Sequence, residues 1–295
     1  MTHPRLFAFV LAVAVASALP TPAMAGELVA RNATRVQLSV SADGKALVSY
    51  RSAGRAHAVL AWGAINAIAP TLSRPQVALR LDYSGGWRSL QTRPSRFRNR
   101  CAAYDGPRLH WLIAACKAPD GSYWALQNWQ RALPNYGLAA SPQRRVYELW
   151  LSHWRGPLPT FEVSLGWTQA RFHTIFGRLT YLGKPVHGFG TGIRGRPTDS
   201  YGRVLYVDTL DSRYGTGWRR ENSFVTHKGT GVFCYGFFPH GRYPTGMGKR
   251  YRITAMGPGV LPDLYWEGVP QATYDASYDQ AAKAKLRAFG DSSCG

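Results

Sequence analysis

Residues 36–50 read VQLSVSADGKALVSY, and their pattern decides the fold. Val36, Leu38 and Val40 alternate with polar residues, Asp43-Gly44 supplies a turn, and Ala46, Val48 and Tyr50 alternate back. Successive side chains on a strand point to opposite faces, so a period of two on either side of Asp-Gly predicts a β-hairpin. The same signal recurs outward along the chain. Val77, Leu79, Leu81 and Tyr83 alternate ahead of Ser84-Gly85-Gly86. Phe161, Val163, Leu165 and Trp167 alternate, as do Phe172, Thr174 and Phe176, then Leu179 and Tyr181. Residues 204–207, 232–238 and 251–255 continue the pattern. The run 146–154, VYELWLSHW, is apolar on both alternating faces and predicts a central strand. Residues 110–113, HWLI, read as a buried run, and 123–129, YWALQNW, fit a strand or one helical turn.

One segment has helical spacing: 279–289, DQAAKAKLRAF. Asp279 is placed to cap it, Gly290 to end it, and Ala282, Leu286 and Phe289 share one face. Many short strands divided by Gly and Pro, with this one helix, predict a mainly β chain. The expected architecture is an antiparallel sandwich or barrel-like fold with a short C-terminal α-helix.

The first 25 residues form a separate unit. A single early arginine, an apolar run from Leu6 to Leu19 and the small residues Ala23-Met24-Ala25 have the layout of a secretory signal peptide. The apolar core is shorter than the roughly 18 residues a spanning helix needs. The expected product is a secreted, extracellular protein with no integral membrane association after cleavage. Beyond it, residues 26–95 read as an N-terminal β region, either separate or part of the same domain. Residues 96–295 read as the main disulfide-stabilised β domain. The stretch 88–100, RSLQTRPSRFRNR, is basic and poor in apolar residues, which suits a linker or long surface loop.

Four cysteines in an exported chain predict two disulfides. Three pairings are possible, and the nearest-neighbour choice is Cys101 with Cys116 and Cys234 with Cys294. No C-x-x-C or paired ligand spacing supports zinc. The formal net charge is +20. Charge of this sign favours polyanions: wall polymers, acidic glycans, anionic headgroups and, non-specifically, nucleic acid. It is spread along the chain rather than massed in one block.

Residues 187–238 concentrate glycine, aromatics and arginine between short apolar runs, and loops of this kind carry function. Gly190, Gly192 and Gly195 match G-x-G-x-x-G, but Arg196-Pro197 follows where a dinucleotide site needs a helix, so no cofactor is expected. Asp199, Asp208 and Asp211 are close enough in sequence for a calcium loop, yet the arginines around them make salt bridges the simpler expectation. For hydrolysis, the groups in range are His187, Asp208, Asp211, Glu221 and His227, with no G-x-S-x-G or H-E-x-x-H among them. For binding, Tyr214, Trp218, Arg219 and Arg220 place rings and guanidiniums in one short stretch, and such pairs stack on sugars and meet anionic groups.

Several strings taken together are familiar: residues 81–87 (LDYSGGW), 116–124 (CKAPDGSYW), 205–209 (LYVDT), 220–224 (RENSF) and 257–259 (GPG). On these the chain resembles a family of secreted actinobacterial proteins to which no activity is attached. The resemblance covers most of residues 26–295. It implies export and an extracellular role, and it supplies no catalytic residue, cofactor or ligand. The expectation is a non-enzymatic extracellular binding protein for anionic or carbohydrate polymers. The alternatives are a secreted hydrolase of glycan or peptide bonds, and an inert structural or inhibitory partner of another protein.

Overall fold

A computed structural model describes residues 26–68, 77–91, 94–130, 146–186, 205–222, 226–227, 229–239, 246–271 and 273–290. The signal peptide, His187 with the glycine-rich loop to residue 204, and Cys294 lie outside the described residues. The chain is mainly β, built from antiparallel sheets stacked in pairs, with a short C-terminal α-helix as expected.

The first eight strands are β1 (Glu27–Arg31), β2 (Thr34–Val40), β3 (Ala46–Ser52), β4 (Arg55–Gly63), β5 (Leu79–Asp82), β6 (Leu112–Lys117), β7 (Tyr123–Gln130) and β8 (Tyr147–Trp154). They make two sheets, ordered β2-β3-β4-β5 and β1-β8-β7-β6. The opening hairpin is present as read: β2 pairs β3 with Val40 opposite Ala46, and Gly44 takes the positive φ of 77° that its turn needs. Residues 123–129 are strand, not helix. Val40, Val48 and Val59 from one sheet meet Trp124, Leu126, Leu149 and Leu151 from the other in one core. Strands on either side of residue 95 therefore share this core. The Cys101–Cys116 disulfide is formed, and Cys116 is buried in the same core. Its 15-residue separation corresponds to roughly 3 kcal/mol in the chain-entropy picture. Cys234 is also disulfide-bonded.

The second group comprises β9 (Thr160–Thr168), β10 (Phe172–Tyr181), β11 (Lys184–Pro185), β12 (Leu205–Ser212), β13 (Gly215–Asn222), β14 (Thr226–His227), β15 (Val232–Gly236), β16 (Arg250–Ala255) and β17 (Leu264–Gly268). One sheet runs β11-β10-β15-β14 with β9 beside β10, and the other runs β13-β12-β16-β17. Leu165, Ile175, Phe233 and Phe237 of the first pack on Val207, Tyr251 and Ile253 of the second. Gly177 on β10 admits this packing, because a Cβ there would collide with the Phe233 ring.

The sheet containing β7 and β8 is buried on both faces, as the two-sided apolar pattern of 146–154 predicts. Leu149 and Leu151 face the first core, while Trp150 and Trp154 face the second sandwich, against Met256 and Leu261. A polar clasp fixes that contact. Gln127 donates from Nε2 to the Asp263 carbonyl at 3.1 Å and accepts from the Asp263 amide at 2.8 Å. The Trp129 indole donates to the Asp263 carboxylate at 2.8 Å.

Two local expectations are corrected. Leu112 and Ile113 are not buried but 36% and 49% exposed, because β6 is the edge of its sheet. The C-terminal helix, Ala276–Ala288, begins a turn earlier than residue 279. Its cap is Asp275, which has extended backbone angles and accepts from the Tyr278 amide at 2.9 Å. Asp279 instead accepts from the Trp167 amide at 3.1 Å and tethers the helix to β9. Ala282, Leu286 and Phe289 form the buried face as read.

Candidate functional site

The cross-strand register builds the site. β12 lies between β13 and β16, and Asp208 stands opposite Arg220 on one side and Arg252 on the other. Directly opposed residues of antiparallel strands share a face, so all three project from the same side of the sheet. Asp208 is 2% exposed. Arg220 reaches it side-on, through Nε to Oδ1 and through Nη2 to Oδ2 at 3.3 Å. Arg252 donates to the same Oδ2 from Nε at 3.0 Å and from Nη2 at 2.9 Å. One carboxylate thus faces two guanidiniums. Farther along the row, Glu267 stands opposite Arg252 but bonds Arg250 at 2.6 Å.

Aromatic rings hold both guanidiniums. Arg252 lies over the Trp218 ring at 4.2 Å and Arg220 over Tyr206 at 4.3 Å. Cation–π contacts of this kind strengthen as the cation loses water. Across from them, β7 and β8 bring Trp129, Asn128 and the half-exposed Tyr147, and Trp111 stacks on Trp129 with centroids 5.1 Å apart. The result is a cleft of ≈ 500 Å³ between the two sandwiches. Two buried polar atoms on its lining residues, Asn128 Oδ1 and Thr254 Oγ1, have no hydrogen-bond partner among the described residues. Buried polar groups in folded proteins are normally paired, so Thr254 Oγ1 marks a place where polar contact is still to be made; Asn128 stands opposite Leu149, on the face of β7 turned to the first core.

Another depression, of ≈ 570 Å³, is lined by Trp62, Tyr83 and Asp82. Its carboxylate is fully engaged. Asp82 accepts from the amides of Ser84 at 2.8 Å and Ser89 at 3.0 Å, and from both hydroxyls. Burial opposes its charge, yet these bonds hold its pKa below the usual carboxylate range. It serves the turn rather than a ligand.

The expected site residues separate. Trp218, Arg219 and Arg220 line the cleft. Tyr214 does not: it is buried at 5% and donates to Glu221 Oε1 at 3.1 Å, because the β12–β13 turn tucks its ring inward. Glu221 faces the opposite side from Asp208. The register passes from Asp208 opposite Arg220 to Val207 opposite Asn222, which leaves Glu221 as the extra residue of a bulge. It is fully buried, also accepts from Tyr235 at 3.0 Å, and lies so close to Gly246 that a Cβ there would overlap it. Burial pushes its pKa up to about 7, against the pull of the two tyrosines. Asp211 sits at the hairpin end, held by the Gly217 amide at 2.8 Å and Lys249 at 3.3 Å. His227 is on β14 opposite Phe233. Glycoside hydrolysis needs two carboxyl groups flanking one bond, and Asp208 and Glu221 occupy opposite faces of a sheet.

Sequence reading missed Trp111, Asn128, Trp129, Arg252 and Thr254. The walls come from β7 and from β16, far apart in the chain, and no local spacing marks them as neighbours. Comparison with protein families, with curated proteins and with solved structures finds no match.

Proposed function

We propose that the chain is an exported, non-enzymatic binding protein that holds an anionic or carbohydrate polymer of the cell envelope or its surroundings in the cleft between its two sandwiches. The observation that carries this reading is Arg252. Its guanidinium is stacked on Trp218, shares the Asp208 carboxylate with Arg220, and borders the cleft. A ring with an oriented cation beside it favours ligands that present a flat apolar face next to a negative group. The Cys101–Cys116 disulfide and the absence, among the described residues, of a helix long and apolar enough to cross a membrane are compatible with export. The resemblance to secreted proteins points the same way. The hydrolase alternative draws less support, since its acidic residues do not converge.

The test is retention on immobilised acidic polysaccharide over a range of salt. Binding should weaken steeply as salt rises, since cation–polyanion contacts release counterions. Arg252→Gln and Trp218→Ala should each weaken it at fixed salt by about tenfold, the scale of one lost charged or stacking contact. Retention that neither variant changes would place binding elsewhere and defeat this reading.

A further inference from the structure

We infer that the ligand of the cleft is a carboxylated sugar: a hexuronate unit whose carboxylate meets Arg252 and one of whose hydroxyls meets Thr254. The inference rests on the reading of the cleft as a ligand site and adds the ligand's chemical class.

Three features select this chemistry. The first is the unused edge of Arg252. Nε and Nη2 both point at Asp208 Oδ2, and stacking on Trp218 fixes the plane of the guanidinium. Among the described residues Nη1 has no partner and is left to donate, and a planar guanidinium edge matches a planar carboxylate. The second is Thr254 Oγ1. It is buried and has no partner among the described residues. Its residue is 1% exposed and stands opposite Tyr206 on the sheet face that carries Asp208. It can donate or accept and suits a sugar hydroxyl. The third is the ring surface of Trp111, Trp218 and Tyr147 around the cleft, which suits the apolar face of a pyranose more than a flexible polyphosphate. A flexible polyanion without sugar rings would engage the arginine and leave the ring surface uncovered. A neutral sugar would cover the rings and leave the arginine edge unmet.

Isothermal titration of the full chain with short oligosaccharides tests this. The probes are hexuronate trisaccharides of gluco and galacto configuration, their methyl esters, which keep ring and hydroxyls but lose the charge, and dextran sulfate oligomers. At least one hexuronate should bind about tenfold or more tightly than its ester, the scale of one charge-assisted contact. Thr254→Val should weaken hexuronate binding several-fold, while Thr209→Val, on the other face of the same sheet, should not. Equal binding of acid and ester overturns the carboxylate assignment and leaves the cleft as a sugar site. Tightest binding by dextran sulfate overturns the carboxylated-sugar assignment and leaves an anion site. If no probe binds and Arg252→Gln changes nothing on any acidic polymer, the cleft reading fails as well.

Discussion

Asp208 and Glu221 lie on opposite faces of the sheet formed by β12, β13 and β16, and both are almost fully buried, at 2% and 0% exposure. Burial alone does not distinguish them; their partners do. Asp208 receives hydrogen bonds from two guanidiniums and forms an ion pair that opens onto a cleft. Glu221 receives two phenol hydroxyls inside an aromatic core, where the neutral acid is the better-solvated form up to about pH 7. One sheet therefore carries paired charge on the face that meets the other sandwich and a protonatable acid on the face that packs its own core. A charged group that is paired, stacked and bordered by space is placed for recognition. A carboxyl held by hydroxyls under a glycine is placed for packing.

The largest break in this comparison should come from Asp208→Asn. It keeps the shape but leaves Arg220 and Arg252 without their shared carboxylate in a poorly solvated site. Breaking a buried ion pair by removing one partner costs about 3–5 kcal/mol. Urea denaturation should show a loss in that range. A loss under about 1 kcal/mol would mean that water reaches the guanidiniums freely, and the contrast between the two faces would weaken.

Glu221→Gln should have an effect of similar size but one that depends on pH. The unfolded chain releases this proton near 4.5 and the folded chain near 7. Between those values the fold binds more protons than the unfolded state. The stabilisation from Glu221 is thus complete below about pH 4.5 and disappears as pH rises through 7, a difference of about 3 kcal/mol. Glutamine has no proton to lose, so the variant should gain on the wild type by about that amount between pH 4.5 and 8. His153 and His173 act in the opposite sense. Burial lowers both to about 4, so their contribution is complete above about pH 6.5 and is lost as pH falls toward 4. The wild-type profile should therefore be flatter than that of the variant. A wild-type-minus-variant difference that does not change with pH would show that Glu221 is solvated like an ordinary surface acid.

The two faces were unequally legible in the sequence. Period-two alternation exposes strands, since burial on one side is imposed every second residue, and Val36 to Tyr50 carried that signal with its turn. Alternation also hinted at the doubly buried sheet through 146–154. The cleft left no such trace. Trp129 and Arg252 approach only because Gln127 and Asp263 clasp two sandwiches together, a contact made in space and not in spacing. Within the arginine- and aromatic-rich hairpin, composition marked Tyr214 and Trp218 alike, and only the turn geometry sends one ring inward and leaves the other under Arg252. The bulge that turns Glu221 away from Asp208 is a one-residue slip that composition cannot reveal. The helix start failed for a related reason: Asp275 and Asp279 are both suited to a cap, and the tie to Trp167 claims the second.

The smallest effect gives the sharpest separation of the faces. Thr209 and Thr254 are both buried, at 0% and 1%, and both hydroxyls have no partner among the described residues. Thr209 stands opposite Tyr251 on the core side, and Thr254 opposite Tyr206 on the cleft side. Valine has nearly the same shape, and removing an unsatisfied hydroxyl from a buried site is close to neutral or stabilising, within about 1 kcal/mol. Both Thr→Val variants should therefore unfold at denaturant midpoints near that of the wild type or slightly above it. They should differ only in ligand binding. On the proposed reading Thr254→Val should lose affinity for an acidic sugar, since its hydroxyl faces the cleft without a partner among the described residues, while Thr209→Val should retain it. Equal loss in both variants would mean that the hydroxyls act through the packing of the sheet, and the cleft would lose its polar specificity. A marked destabilisation in either would mean that the hydroxyl has a partner within the fold and is not waiting for a ligand.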